Sequence, residues 1–239
     1  MSTNERDVRV PTSSTRKPLA DRMYDILLDQ FMDGTRGAGE PLNIGALTRE
    51  FEVSQTPLRE ALARLEHTGL VRREALKGYS VAPQFSAEEL EKLMEARLVL
   101  EPTLASKAAQ HTTPAFLTEL HDSIGDLERS ATGADTDSNA FRLYWSSDDR
   151  FHLLIAHQTG NEFLEDAYRS LGGQVQRYRL FVKAGATHAH TAAAEHQSIY
   201  EALQSGASEV AAERMRVHIE RARDRALSGA TLRPTDEAE

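Results

Sequence analysis

Three features of this 239-residue chain predict a mainly α-helical protein in two parts. Apolar residues recur every three to four positions along most of its length, the period of an amphipathic helix. One short stretch, residues 70–81, switches to a strand-like pattern interrupted by Lys77-Gly78. The charge balance also divides there. Residues 1–84 hold 12 Lys+Arg and 12 Asp+Glu, while residues 85–239 hold 16 and 25, which accounts for the whole net charge of −9. A surface that meets phosphate is therefore expected in the first third of the chain.

Residues 1–16 are rich in Ser, Thr and Arg, lack a hydrophobic period, and read as a disordered arm. A first helix is expected over 18–32, with Leu19, Met23, Ile26, Leu27 and Phe31 inward and Asp33-Gly34 ending it. After a Gly-rich loop, Ile44, Leu47 and Phe51 mark a short helix. Residues 54–67 form another, with Leu58, Ala61, Leu62 and Leu65 inward and Gly69 beyond its end. Two strand pieces, 70–74 and 79–81, make a small β-hairpin. Residues 82–85 break the pattern and mark the domain boundary. Ser86-Ala87-Glu88-Glu89 is a capping box opening a long helix, within which Pro102 is expected to cause a kink. Further helices are expected over 114–130, 138–159, 162–183, 190–204 and 207–228, and a disordered tail over 229–239. The second domain, 86–228, is thus all-α.

Composition narrows the chemistry. With no cysteine, disulfides, thiolate metal sites and cysteine nucleophiles are excluded. No apolar run approaches the ~20 residues needed to cross a bilayer, and residues 1–17 lack the apolar core of a secretory signal. The expectation is a soluble, cytoplasmic protein.

The order helix, helix, turn, helix, hairpin over 17–83 is that of a winged helix-turn-helix domain, whose third helix enters the major groove of DNA. Ser54 and Thr56 carry helix-capping hydroxyls suited to a phosphate oxygen. Gln55 opens that helix, Arg59 lies one turn in and faces away from Leu58 and Leu62, and Lys77 and Gly78 form the wing tip. The run Val53-Ser54-Gln55-Thr56-Pro57-Leu58-Arg59-Glu60-Ala61-Leu62, followed by Gly69-Leu70-Val71 and Gly78-Tyr79-Ser80-Val81, resembles the DNA-binding signature of GntR-family bacterial regulators. The resemblance implies binding to double-stranded operator DNA. Gln55 stands where the family commonly has Arg, and Gly45 where some members have Arg. Because Arg pairs with guanine and Gln favours adenine, the operator read by this chain is expected to differ from the family consensus.

In the second domain Asp148 and His152, four apart, share a helix face with Trp145 and Ile155. His196 lies in line with Ala192, Ile199 and Leu203, and His218 with Ala211, Met215 and Ala222. Three helices thus point a histidine, and one a carboxylate as well, toward an apolar interior. One divalent ion per chain would satisfy all four, zinc first among nickel, manganese and iron. A hydrogen-bonded core residue remains the alternative for any one of them. His188 and His190 read as exposed loop residues, and Glu195, next to His196, is expected to point away from its neighbour's face. The same region resembles the FCD type of ligand-binding domain found in the FadR-like branch of the GntR family, through Glu95-Ala96-Arg97-Leu98-Val99-Leu100-Glu101, Asp148-Asp149-Arg150-Phe151-His152, Glu195-His196 and Val217-His218-Ile219. That resemblance implies a metal at Asp148, His152, His196 and His218 beneath a pocket for a small organic acid. Arg97 is the expected clamp for the acid, Arg177 and Arg179 are further candidates, and an Arg97–Glu101 pair within the helix is the alternative for Arg97. The leading reading is a ligand-responsive transcriptional regulator, a repressor acting as a homodimer. A metal-dependent enzyme acting on a small carboxylate is the rival, and it lacks a His-Glu-x-x-His or Gly-x-Ser-x-Gly motif.

Overall fold

The computed structural model describes residues 17–131, 138–182 and 185–231. The expected arm at 1–16 lies outside them, as does the tail beyond 231. The N-terminal unit runs α1 (Leu19–Asp33), β1 (Pro41–Leu42), α2 (Ile44–Glu50), α3 (Gln55–His67), β2 (Val71–Glu74) and β3 (Gly78–Val81). Gly34 ends α1 in the left-handed conformation, φ +83°, which only glycine adopts without strain. Asn43 caps α2 by accepting from the Ala46 amide. Pro57 falls in the first turn of α3, where its missing N–H costs nothing.

The wing is larger than expected. β1 pairs antiparallel with β3, Pro41 opposite Ser80 and Leu42 opposite Tyr79, giving a three-stranded sheet in the order β1-β3-β2. Two residues carry too little period to be recognised as a strand, so β1 read as loop. At the wing tip Leu76 has a positive φ of 67° and is fully exposed. Leu27, Leu28, Phe31, Leu47, Leu58, Leu62, Leu65, Leu70 and Val81 close this unit's core.

The second unit holds α4 (Ala87–Ala109), α5 (Pro114–Ser130), α6 (Ser138–Gln158), α7 (Glu162–Val182), α8 (Gly185–Gln204) and α9 (Ser208–Thr231). The capping box of α4 is formed, with Ser86 and Glu89 each bonding the other's backbone. α4 continues through Pro102 as one helix. α9 runs three residues into the segment expected to be tail. α8 starts at Gly185, so His188 and His190 lie on a helix and not in a loop. The start escaped detection because Gly185 to His190 lacks large apolar residues to mark a face.

Helix α7 joins the two units. Leu180 is buried in the core of the N-terminal domain, and Trp145 and Phe141 of α6 pack against the same core. Gly173 faces the C-terminal end of α3 so closely that a Cβ there would lie 2.7 Å from the Thr68 carbonyl oxygen. Gly172, one residue earlier, has room: its Cβ would meet Tyr168 at 3.4 Å and Asp149 at 3.6 Å. Gly→Ala within a helix ordinarily gains about 1 kcal/mol. Thermal unfolding should therefore show Gly172→Ala melting no lower than the wild type, and Gly173→Ala melting several degrees lower. Equal melting temperatures for the two variants would rule out a backbone contact at Thr68.

Candidate functional site

His152 on α6, His196 on α8 and His218 on α9 meet in the interior of the helical domain, each no more than 2% exposed. One ring nitrogen from each lies within 4.8 Å of the others. Their orientation is imposed by neighbours. His218 Nδ1 lies 2.7 Å from Glu195 Oε2, and His152 Nδ1 lies 2.7 Å from Glu101 Oε2. A carboxylate only accepts, so at His218 the proton sits on Nδ1 and the Nε2 lone pair faces inward. His196 stacks flat on Phe151, centroids 3.8 Å apart. Nε2 of all three rings is buried without a hydrogen-bond partner, and so are Nδ1 of His196 and Nδ1 of His152, the latter despite its approach to Glu101. Asp148 lies beside them, its oxygens 3.7 Å from Nε2 of His152 and of His196, and it stands outside the tight set of three.

Each carboxylate of this cluster is held by an arginine. Arg97 Nε donates to Glu101 at 2.5 Å, Arg225 donates to both oxygens of Glu195 at 2.9 and 3.0 Å, and Arg179 donates to Asp148. Burial raises the Asp148 carboxyl, but Arg179 and the surrounding imidazoles more than offset it and hold it well below the usual carboxylate range. Glu101 is likewise held far down against its burial by Arg97 and His152, and Glu195, through His218 and Arg225, lies at about 2. Burial pushes His196 well below the ordinary imidazole value and His218 down to about 4, so both are neutral at pH 7.

Three arginines and three carboxylates cancel, which leaves three buried imidazoles whose inward nitrogens have no hydrogen-bond partner. These residues fit a divalent cation: unpartnered nitrogens converge, and Glu195 on the outer nitrogen of His218 fixes that ring's tautomer and raises its basicity. A cavity of about 50 Å³ adjoins the cluster, lined among others by Arg97, Asp148, Arg179, His188, His218 and Arg225. By this measure it has room for an acid of a few heavy atoms.

The expected site residues distribute as follows. His152, His196, His218 and Asp148 come together as expected. Arg97 lines the cavity and also forms the intrahelical pair with Glu101. Arg179 lines the cavity. Arg177 does not: both its Nε and Nη2 donate to the Pro83 carbonyl, at 2.9 and 2.6 Å, and its guanidinium lies over the Phe85 ring. It holds the interdomain linker, because its side chain leaves α7 toward the N-terminal domain and not toward the cavity. Glu195 points into the cluster, against expectation. The buried face of α8 is wide enough to take neighbouring residues 195 and 196 together. Glu101 and Arg225 went unrecognised. Their signal was a charge in line with core positions, Glu101 with Met94 and Leu104 on α4, and Arg225 with Met215, His218 and Ala222 on α9.

On the DNA-binding unit, Ser54 is the N-cap of α3 with no side-chain capping bond, and Gln55, Thr56 and Arg59 are exposed on its first turns. Arg59 touches only Gln55, at 3.3 Å. Lys77 pairs with Glu74 at the exposed wing tip, and Gly78 opens β3 with φ +88°.

The GntR model of bacterial regulatory proteins matches residues 19–81, and the FCD domain model matches residues 92–221. The chain belongs to the GntR family and carries an FCD domain. A Bacillus subtilis HTH-type transcriptional regulator, YdhC, is 24% identical over 82% of this chain and 86% of its own length. A probable D-xylose utilization operon transcriptional repressor from Paenarthrobacter nicotinovorans is 25% identical over 86% of this chain and 87% of its own. The solved structure of McbR/YncC from Escherichia coli shares the fold, with a TM-score of 0.68 over 89% of this chain and 99% of that one at 18% identity. The two sequence relatives are named as regulators of transcription, and the chain is a transcriptional regulator and not an enzyme. Among the described residues no helix is long and apolar enough to cross a membrane.

Buried neutral imidazoles bind fewer protons than unfolded ones, so stability must fall as pH drops below the ordinary histidine value of 6.5. His218 alone would remove about 3 kcal/mol between pH 6.5 and 4. The depressed carboxylates add losses of the same sign at still lower pH. Metal-free protein, followed by urea unfolding, is expected to destabilise steadily from pH 6.5 to 4. His218→Gln should flatten part of that slope. A pH-independent midpoint over this range would contradict the burial of neutral imidazoles.

Proposed function

We propose that the protein is a cytoplasmic repressor that binds operator DNA as a homodimer and responds to a small organic acid at a divalent metal held by His152, His196, His218 and Asp148. The observation that carries this reading is the cluster of three buried imidazoles with unpartnered nitrogens beside an arginine-lined cavity. Because the surrounding ion pairs cancel, a bound dication would leave an excess positive charge in a low-dielectric interior, and an anionic effector offsets it. The metal, zinc in first place for this donor set, would supply a Lewis-acidic docking point for a carboxylate, and Arg97 and Arg179 the hydrogen-bond donors around it. The name of the Paenarthrobacter nicotinovorans relative supports repression as the sense of control.

DNA binding is assigned to α3 and the wing. Ser54, Gln55, Thr56 and Arg59 would meet the major groove, and Lys77 and Gly78 the neighbouring backbone or minor groove. The two-fold symmetry of such operators supports a dimer. Signal transfer is assigned to α7. Arg179 bonds Asp148, and Arg177, two residues before it, bonds the linker carbonyl at Pro83. An effector that disturbs Asp148 would act on Arg179 and, through α7, on the linker. The boundary segment 82–85 is thus held at the Pro83 carbonyl in this conformation.

Elemental analysis should find about one divalent ion per chain, as for one closed site, and His196→Ala should abolish it. Arg59→Ala should weaken operator binding at least about tenfold with an unchanged melting temperature, since it touches only Gln55. Arg177→Ala should keep metal and acid affinity while reducing the acid's effect on operator affinity. Metal-free protein as purified, with a full acid response, would overturn the metal reading. A full acid response in Arg177→Ala would overturn the transfer route.

A further inference from the structure

A second cavity, of about 240 Å³, lies at the junction of the two units, between α1, the end of α3, α6 and α7. Tyr24, Trp145 and Tyr168 supply aromatic walls, and Asp149 and Gln176 supply polar ones. It is separate from the metal cluster, although Asp149 follows Asp148 in the chain.

Its lining also holds His67 and Arg169, but among the described residues two of its acceptors, the Asp149 carboxylate and Gln176 Oε1, lack a cationic partner. Asp149 forms a hydrogen bond with Gln176 and, among the described residues, has no ion-pair partner within 4 Å. The arginines nearby are committed elsewhere. Arg179 holds Asp148, Arg169 holds Glu165, and Arg64, which lies over the Tyr24 ring, holds Asp21. Gln176 is 4% exposed, and its Oε1 has no hydrogen-bond partner. The Trp145 indole N–H is already donated to the Gln176 carbonyl, so it cannot serve either group. An unpaired carboxylate and an unpaired amide oxygen call for N–H donors carrying positive charge. Aromatic rings favour a cation at their faces and an apolar stem along them. The cavity exists because α7 has no side chain at Gly172, whose Cβ would stand 3.6 Å from Asp149 Oδ1.

We infer that this junction is a second ligand site, which takes a small protonated primary amine with an apolar or aromatic stem. The ammonium group would donate to Asp149 and Gln176, and the stem would lie among Tyr24, Trp145 and Tyr168. Such a ligand would bridge the end of α3 to α6 and α7. Whether it alters operator affinity rests on the regulatory reading above, whereas binding itself does not, so the two can fail separately.

Trp145 is the single tryptophan of the chain, so its emission reports on this cavity directly. The experiment titrates the metal-loaded full chain with phenethylammonium, excites the indole selectively, and repeats the titration with 2-phenylethanol, a neutral molecule of nearly the same shape. Saturable change with the amine, and at least about tenfold weaker response to the alcohol, is expected from the loss of a charge-assisted contact. Asp149→Asn should weaken the amine by a similar factor. Gly172→Ala, which fills the floor without a clash, should do so while melting no lower than wild type. No saturable response up to millimolar amine would overturn the assignment. Equal affinity for amine and alcohol, or affinity preserved in Gly172→Ala, would do the same.

Discussion

The buried chain of arginine, carboxylate and imidazole organises the helical domain. Ionised side chains in a protein interior are costly unless each is paired and hydrogen-bonded. Here the pairs run Arg97–Glu101–His152 and Arg225–Glu195–His218, with Arg179–Asp148 between them. Every helix of this arrangement, α4, α6, α7, α8 and α9, contributes at least one member. The polar network therefore fixes the relative placement of five helices in a way that interchangeable Leu and Ala contacts could not. The same pairing leaves the inward nitrogens without partners, so the interactions that specify the fold also shape a cluster that could hold a metal ion.

Much of this was legible in the sequence. Among the described residues, periodicity locates eight of the nine helices within two or three residues of their observed starts, and the i,i+4 spacing of Asp148 and His152, with the lines through His196 and His218, finds the cluster. What escaped was tertiary. Glu195 was dismissed because adjacent residues diverge on a helix, yet α8 is surrounded by other helices and buries both. Arg177 looked like a pocket residue by its closeness to Arg179 in the chain. Two positions turn a side chain by about 200° on a helix, and this carries it from the metal cluster to the linker. β1 depends on pairing with β3 and has no local signal of its own.

Placing the partners of two distant events on one helix has a simple mechanical sense. A helix resists bending over a few turns far better than a loop does, so a displacement at Arg179 cannot be absorbed before it reaches Arg177. The loop that separates the domains in sequence, 82–85, is by contrast short and held at its carbonyl. Ala82 is fully buried, its amide bonded to the Leu70 carbonyl. On the proposed route, communication between the units would run through side chains that cross the junction more than along the backbone that connects them.

The neighbouring glycines of α7 give that junction its spacing. A helix normally keeps other backbones away by the thickness of its side-chain layer, with helix axes 8–10 Å apart. At Gly173 the layer is missing, and the Thr68 carbonyl rests almost on the bare helix. The distance from the recognition helix to the effector domain is therefore set by one atom that is not there. Each carbon added at position 173 would act as a shim, tilting the DNA-reading head away from the bundle in small fixed steps.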